Sequence, residues 1–323
     1  MRMSPTSPAA AFAAVLVLTI SARAATFTVT SAADSGPGSL RQMLAEAALA
    51  PGADTVIMAP ALSGSKITLL SPIIFDGAGG DTLDATALPA RISFDTGGPH
   101  RCFSVCGGAN LTLAGISIFG KNAPGSGGRI ANQGTLALTN CSISGSSAVE
   151  GGAVSNQGTL TLTNCEFSGN SAARGGAVYN GGNLTALDCL FSRNAAEAGG
   201  GAIHNGEGSR LMLSRCTLSE NTAGSGGAVS LDETGAIIES CSFTGNSAPS
   251  GGAIHESDSS LVMRNCTLAG NAADSGGAIG TNNEGVLELT HCTLSENSAA
   301  LKGGAVSLDE GELKLTNSIV GAN

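Results

Sequence analysis

The sequence predicts an all-β fold: a single-stranded parallel β-helix of about ten coils of about 25 residues, closed at its N-terminal end by a short α-helix. Three observations carry that expectation. Gly-Gly-Ala-(Val/Ile) occurs seven times, starting at Gly151, Gly175, Gly200, Gly226, Gly251, Gly276 and Gly303, at separations of 24, 25, 26, 25, 25 and 27 residues. A cysteine recurs between the copies, as Cys141, Cys165, Cys189, Cys216, Cys241, Cys266 and Cys292. Five places after six of these stands an asparagine: Asn170, Asn194, Asn221, Asn246, Asn271 and Asn297. A unit this short cannot bury its own apolar face, so neighbouring units must stack.

Composition agrees. The chain of 323 residues is 42% hydrophobic, which excludes disorder, yet only 3% aromatic, with 47 glycines, no Trp and the single tyrosine Tyr179. A conventional globular core would use more large side chains. Narrow coils with tight corners would not.

The first residues read as a signal peptide, 1–24. Arg2 supplies the positive end, Ala9 to Ile20 is an apolar run too short to span a bilayer comfortably, and Ala22-Arg23-Ala24 is a small-x-small cleavage site. The alternative is an N-terminal membrane anchor. Removing Arg2 and Arg23 leaves 13 basic against 25 acidic residues, a mature net charge of −12. That acidity argues against nucleic acid and anionic membrane surfaces as partners. No later apolar run is long enough for a membrane-spanning helix, so the mature chain is expected outside the cell or at the outer surface.

Residues 25–65 read as a cap. Thr26 to Thr30 alternates as a strand. Ser39 is an N-cap with Gln42 at the capping-box position, and Leu40, Met43, Leu44 and Ala47 keep helical spacing to about Leu49. Residues 52–58 read as the next strand. The solenoid then runs over 66–323, irregular to about 126, where Leu111/Leu113 and Ile116/Ile118 already keep register. A degenerate Gly127-Gly128-Arg129-Ile130 opens the regular part.

Within a repeat, Leu160 and Leu162 alternate with threonines; Cys165 and Phe167 alternate again after a shift of one. Period two means strand, and the shift means a turn. Gly-Gly-Ala-Val opens a third short strand. Three strands and three turns describe one coil, and the general crossover preference makes it right-handed. Leucine-rich repeats have this length, but their long return segment is missing. At about 4.8 Å between coils, recurring residues become ladders. Leu, Cys and Phe/Leu form inward rows, Asn bonds to its equivalents along the stack, and the glycine pairs allow tight bends. Ser146 replaces Asn in the first copy, and Ser318 replaces Cys in the last, which ends on Asn323.

Gly-Gly-Ala-(Ile/Val) with Phe167-Ser-Gly-Asn170, Phe191-Ser-Arg-Asn194 and Phe243-Thr-Gly-Asn246 resembles the polymorphic outer membrane protein repeat of bacterial surface proteins. Leu replaces Phe at 218, 268 and 294. "ADSGPGSLRQMLAEAALAPGADTVIM" (33–58) resembles the N-terminal segment of exported β-helix proteins of the CSLREA type. The resemblance implies a right-handed β-helix with an adhesin or passenger role at the cell surface, and an unnamed host or cell-surface ligand, protein or glycan. Its outer-membrane members carry a C-terminal translocator barrel, whereas this sequence stops at Asn323. Leu313, Leu315 and Val320 would then sit beside an open edge. Either an anchor lies beyond, or the end associates with another molecule.

The alternatives are a β-helix polysaccharide lyase or hydrolase and a carbohydrate-binding module. The enzymes need converging carboxylates and basic groups in one groove. The position after Gly-Gly-Ala-(Val/Ile) reads Ser155, Tyr179, His204, Ser230, His255, Gly280 and Ser307, with no carboxylate, and is expected to be a solvated row. His204 and His255 stand two coils apart, about 9.6 Å, too far to share a metal. A Ser230–His255–Asp258 triad can be drawn but depends on a loop of unknown direction. Asp232-Glu233, Asp309-Glu310 and Glu256 read as solvated turn charges rather than a Ca²⁺ stripe. No catalytic residue, cofactor site or metal site is therefore assigned, and the protein is expected not to be an enzyme. The cysteine row lies within disulfide range between neighbours, but parallel side chains favour packed thiols. Cys102 and Cys106 fall outside the row and are the candidate disulfide.

Overall fold

The computed structural model describes residues 24–120 and 125–323. The expected signal peptide, apart from Ala24, lies outside the described residues. The chain winds into a parallel β-solenoid of about 12 turns with one α-helix among the described residues.

A regular coil contains four strand segments rather than three. Val154–Asn156 and Thr159–Thr163 lie in one long sheet, Glu166–Ser168 in an 11-stranded second sheet, and Ser171–Arg174 in a short third one. The segment after Asn170 holds mostly Ser and Ala, so no apolar alternation announces it. Every strand pairs in parallel with its equivalent one coil on: Leu160 opposes Leu184, Phe167 opposes Phe191, and Val154 opposes Val178. The extra turns come from the irregular region. Thr26–Val29 pairs in parallel with Thr55–Met58, and that strand with Asp81–Asp84, so the stack begins at Thr26.

The helix is Leu40–Leu49. Ser39 Oγ accepts from the Gln42 amide at 3.3 Å, and the Gln42 side chain accepts from Gly38 N at 2.9 Å. Leu40, Met43, Leu44 and Ala47 are buried. They cover the first coil's apolar interior, where strand edges and core would otherwise meet water.

The core is a column of ladders. Leu160, Leu162, Phe167 and Val154 are fully buried, and Phe167 stacks on Phe191 with centroids 5.0 Å apart and planes 8° apart. Asparagines at the corner form the second support. Asn221 Oδ1 accepts from both the backbone N (2.9 Å) and Nδ2 (3.0 Å) of Asn194. Its own Nδ2 donates to Phe191 O at 3.0 Å and Asn246 Oδ1 at 2.9 Å. The row runs from Ser146 N, which donates to Asn170, to Asn323.

Single left-handed residues make the corners. Gly175 has φ +64°, and a Cβ on Gly176 would collide with the carbonyl oxygen of Gly201 in the next coil. The first glycine of each pair is thus required by conformation, and the second by close approach. Before the ladder asparagines the left-handed residue is sometimes not glycine, as at Glu296 with φ +58°.

These contacts set the expected cost or gain of three substitutions. Asn221→Ala strands the buried amides of Asn194 and should cost about 3 kcal/mol in equilibrium denaturation. Gly270 has φ +64° with nothing within 4 Å of a Cβ. Gly270→Ala should therefore cost about 1–2 kcal/mol from conformation alone. Glu296→Gly, the reverse change at an equivalent corner, should gain about 0.5–1 kcal/mol.

Candidate functional site

The row after Gly-Gly-Ala-(Val/Ile) is not solvated. His204 is 2% exposed, Ser230 1% and His255 6%. Residues just before the glycine pairs lie against parts of the row. Ser250 Oγ stands 3.0 Å from His255 Nδ1, and the Arg174 guanidinium lies 5.5 Å from the Tyr179 ring centre. A Cβ on Gly199 would come within 3.0 Å of Ser230 Oγ.

Along this corner runs a polar chain, partly in solvent, that the sequence did not disclose. Ser126 Oγ donates to Glu150 Oε2 at 2.9 Å, and Arg174 Nη2 donates to Glu150 Oε1 at 2.5 Å. Tyr179 stacks on His204 with centroids 5.3 Å apart. His204 Nε2 stands 3.5 Å from Asp232 Oδ2, and Ser230 Oγ donates to Asp232 Oδ1 at 3.3 Å. Burial, chiefly, lowers the His204 pKa against the opposing charge of Asp232, and burial likewise lowers that of His255. Both imidazoles are neutral near pH 7.

The Ser230–His255–Asp258 triad is not assembled. Ser230 turns to Asp232, His255 meets Ser250 and Asn282, and Asp258 accepts from Asn283 at 2.8 Å. Among the described residues no group of three His, Cys, Asp or Glu side chains could hold a metal.

Glu256 is not a solvated turn charge. The register puts it opposite Leu231, while Asp232 opposes Ser257, and Glu256 is fully buried. It occupies a slot that Asn132, Asn156, Asn180 and Asn205 fill in earlier coils, forming a second amide ladder. Asn132 Nδ2 donates to Asn156 Oδ1 at 2.6 Å, and Asn156 Nδ2 to Asn180 Oδ1 at 2.7 Å. The signal for it was Asn two places after Val or Ile in IAN, VSN, VYN and IHN. Glu256 Oε1 accepts from Ser259 N, Oε2 has no partner, and burial pushes the carboxyl up to about 7. Of the other acids, Asp309 pairs with Lys302, and Glu233 is exposed.

The cysteines are free thiols, including Cys102 and Cys106, so the candidate disulfide is not formed. Cys102 points into the core, whereas Cys106 is half-buried at a turn. In the row, Cys165 Sγ donates to Leu138 O at 3.3 Å, and Cys165 N donates to Cys189 Sγ at 3.4 Å. The neighbouring thiols Cys141 and Cys189, then burial, push the Cys165 pKa far up. All seven thiols of the row are buried and pack as part of the core.

The open side of the stack lies elsewhere. Thr161, Thr185, Met212, Ile237, Val262 and Glu288 face outward in successive coils. Three aliphatic rungs in succession are found here, and a shallow groove of about 650 Å³ runs over them. Met212 is 46% and Ile237 39% exposed.

The family model for the right-handed β-helix region matches residues 105–247 and 154–320, together about two thirds of the chain. The chain belongs to that family, which also gives the coil its hand. No curated protein matches it.

Glu256 predicts a pH dependence. Between its ordinary 4.5 and about 7, the native state keeps a proton that the unfolded chain has lost. Stability should fall through that window by about 3 kcal/mol. His204 and His255 act with opposite sign, since their lowered pKa values remove stability as pH drops below 6.5. The difference between wild type and Glu256→Gln in denaturation at pH 5 and pH 8 isolates the carboxyl. For the thiols, titration of the denatured, unreduced chain should count all nine cysteines. In the folded chain Cys106 should react first; a shortfall of two on denaturation would restore the Cys102–Cys106 bond.

Proposed function

We propose that the chain is an exported, non-catalytic β-helix that binds partners along its side, in the manner of an adhesin or passenger domain at the cell surface. One observation carries the reading. The two histidines of the corner row and Glu256 are buried, whereas the solvent-facing sheet presents regular ladders with an aliphatic stretch. The likeness of the repeats to polymorphic outer membrane proteins and the signal-peptide pattern of residues 1–24 support the surface location. Absence of Trp and the single Tyr179 count against stacking of sugar rings in a groove.

An enzymatic reading has one observation in its favour: Asp232, 46% exposed, stands beside His204. Incubation with pectate, alginate and other uronides at several Ca²⁺ concentrations separates the two. No unsaturated product and no new reducing ends are expected. Turnover that vanished in Asp232→Asn or His204→Ala would overturn the proposal.

A further inference from the structure

Charge pairing singles out one place on the open side. Along residues 150–323, Arg174, Arg193, Arg215, Arg264, Lys302 and Lys314 each meet a carboxylate. Arg210 is the seventh basic residue of this stretch; among the described residues, no carboxylate pairs with it. It is exposed and lines the groove over Met212, Ile237 and Val262. In its own ladder it stands next to Gly235, whose missing side chain leaves a notch beside it.

An unpaired guanidinium at the edge of an aliphatic strip, on a chain of net charge −10, is a position where an acid is welcome and its surroundings are not. The groove is open, with its apolar side chains half in solvent. Sites for small molecules enclose their ligand, whereas protein partners insert individual side chains into such surfaces. Unbranched Met212 can reshape to meet them.

We infer that this groove docks a protein partner through an acidic side chain flanked by aliphatic ones, the carboxylate on Arg210 and the aliphatic groups on Met212, Ile237 and Val262. The inference rests on the non-catalytic binding reading and names the site and the chemistry of its partner.

The test is selection of a random twelve-residue peptide library on the intact chain. Peptides with Asp or Glu beside Leu, Ile or Val should be enriched, and Arg210→Glu should weaken the selected peptides by about tenfold or more, as loss of a central arginine contact does. Selection repeated on Arg210→Glu should switch to Lys or Arg beside aliphatics. Ile237→Asp, a second surface change, should also weaken the wild-type peptides, and circular dichroism confirms that both variants fold. No enrichment, enrichment without an acid, or binding indifferent to both substitutions would overturn the inference. Peptides that mapped to another coil would remove this site while leaving the binding reading intact, whose own failure would be turnover of a substrate.

Discussion

Everything in this molecule depends on one spacing, the rise from a coil to the next. Because strands pair in parallel and in register, a residue meets its own kind about 4.8 Å away, and the energy of a choice is the energy of a row. Phe167 on Phe191 is favourable as an offset pair of rings, and Asn194 on Asn221 closes two hydrogen bonds on a single oxygen. The amide suits the corner better than any other small group, since it accepts from one coil and donates to the next and to a carbonyl behind it. Glycines have the opposite task. Gly176 keeps the backbone close enough for the coil above, where any side chain would intrude.

The same arithmetic separates what could be read in the residues from what could not. The helix Leu40–Leu49 was legible because its buried positions keep a period of 3.6 behind a recognisable cap. Cys165 and Asn170 were legible because their spacing repeats within a residue or two. The coil number was underestimated, since the early turns pair correctly but carry loops of varied length that conceal the period. The covering strand Ser171–Arg174 escaped because its Ser and Ala residues give no apolar alternation. Missing that strand had a cost at the next row: with nothing expected above them, His204 and His255 looked like surface residues. Glu256 looked like a turn acid for a related reason. The coil before it has Leu231 in the amide slot, so the row of Asn132 to Asn205 no longer marked the position as interior.

The two sides of the stack also divide the labour. On the corner side, acids, bases and hydroxyls pair with each other: Glu150 with Arg174, Asp232 with His204 and Ser230, His255 with Ser250. These contacts help to hold the shape of the corner. Across the sheet face, successive outward rungs are independent of the fold, so they can change from Thr185 to Met212 to Glu288 without disturbing the interior. A solenoid with a rigid interior and a freely varied exterior is well suited to carrying recognition.

The in-register stacking also has a mechanical meaning. Hydrogen bonds between coils lie along the axis, so a pull applied to the two ends loads them one coil after another instead of shearing many strands together. The molecule then yields by peeling, and each released coil of about 25 residues pays out about 85 Å of chain. Unwinding of this kind dissipates work in equal, repeated steps, and the coils still wound keep their own contacts.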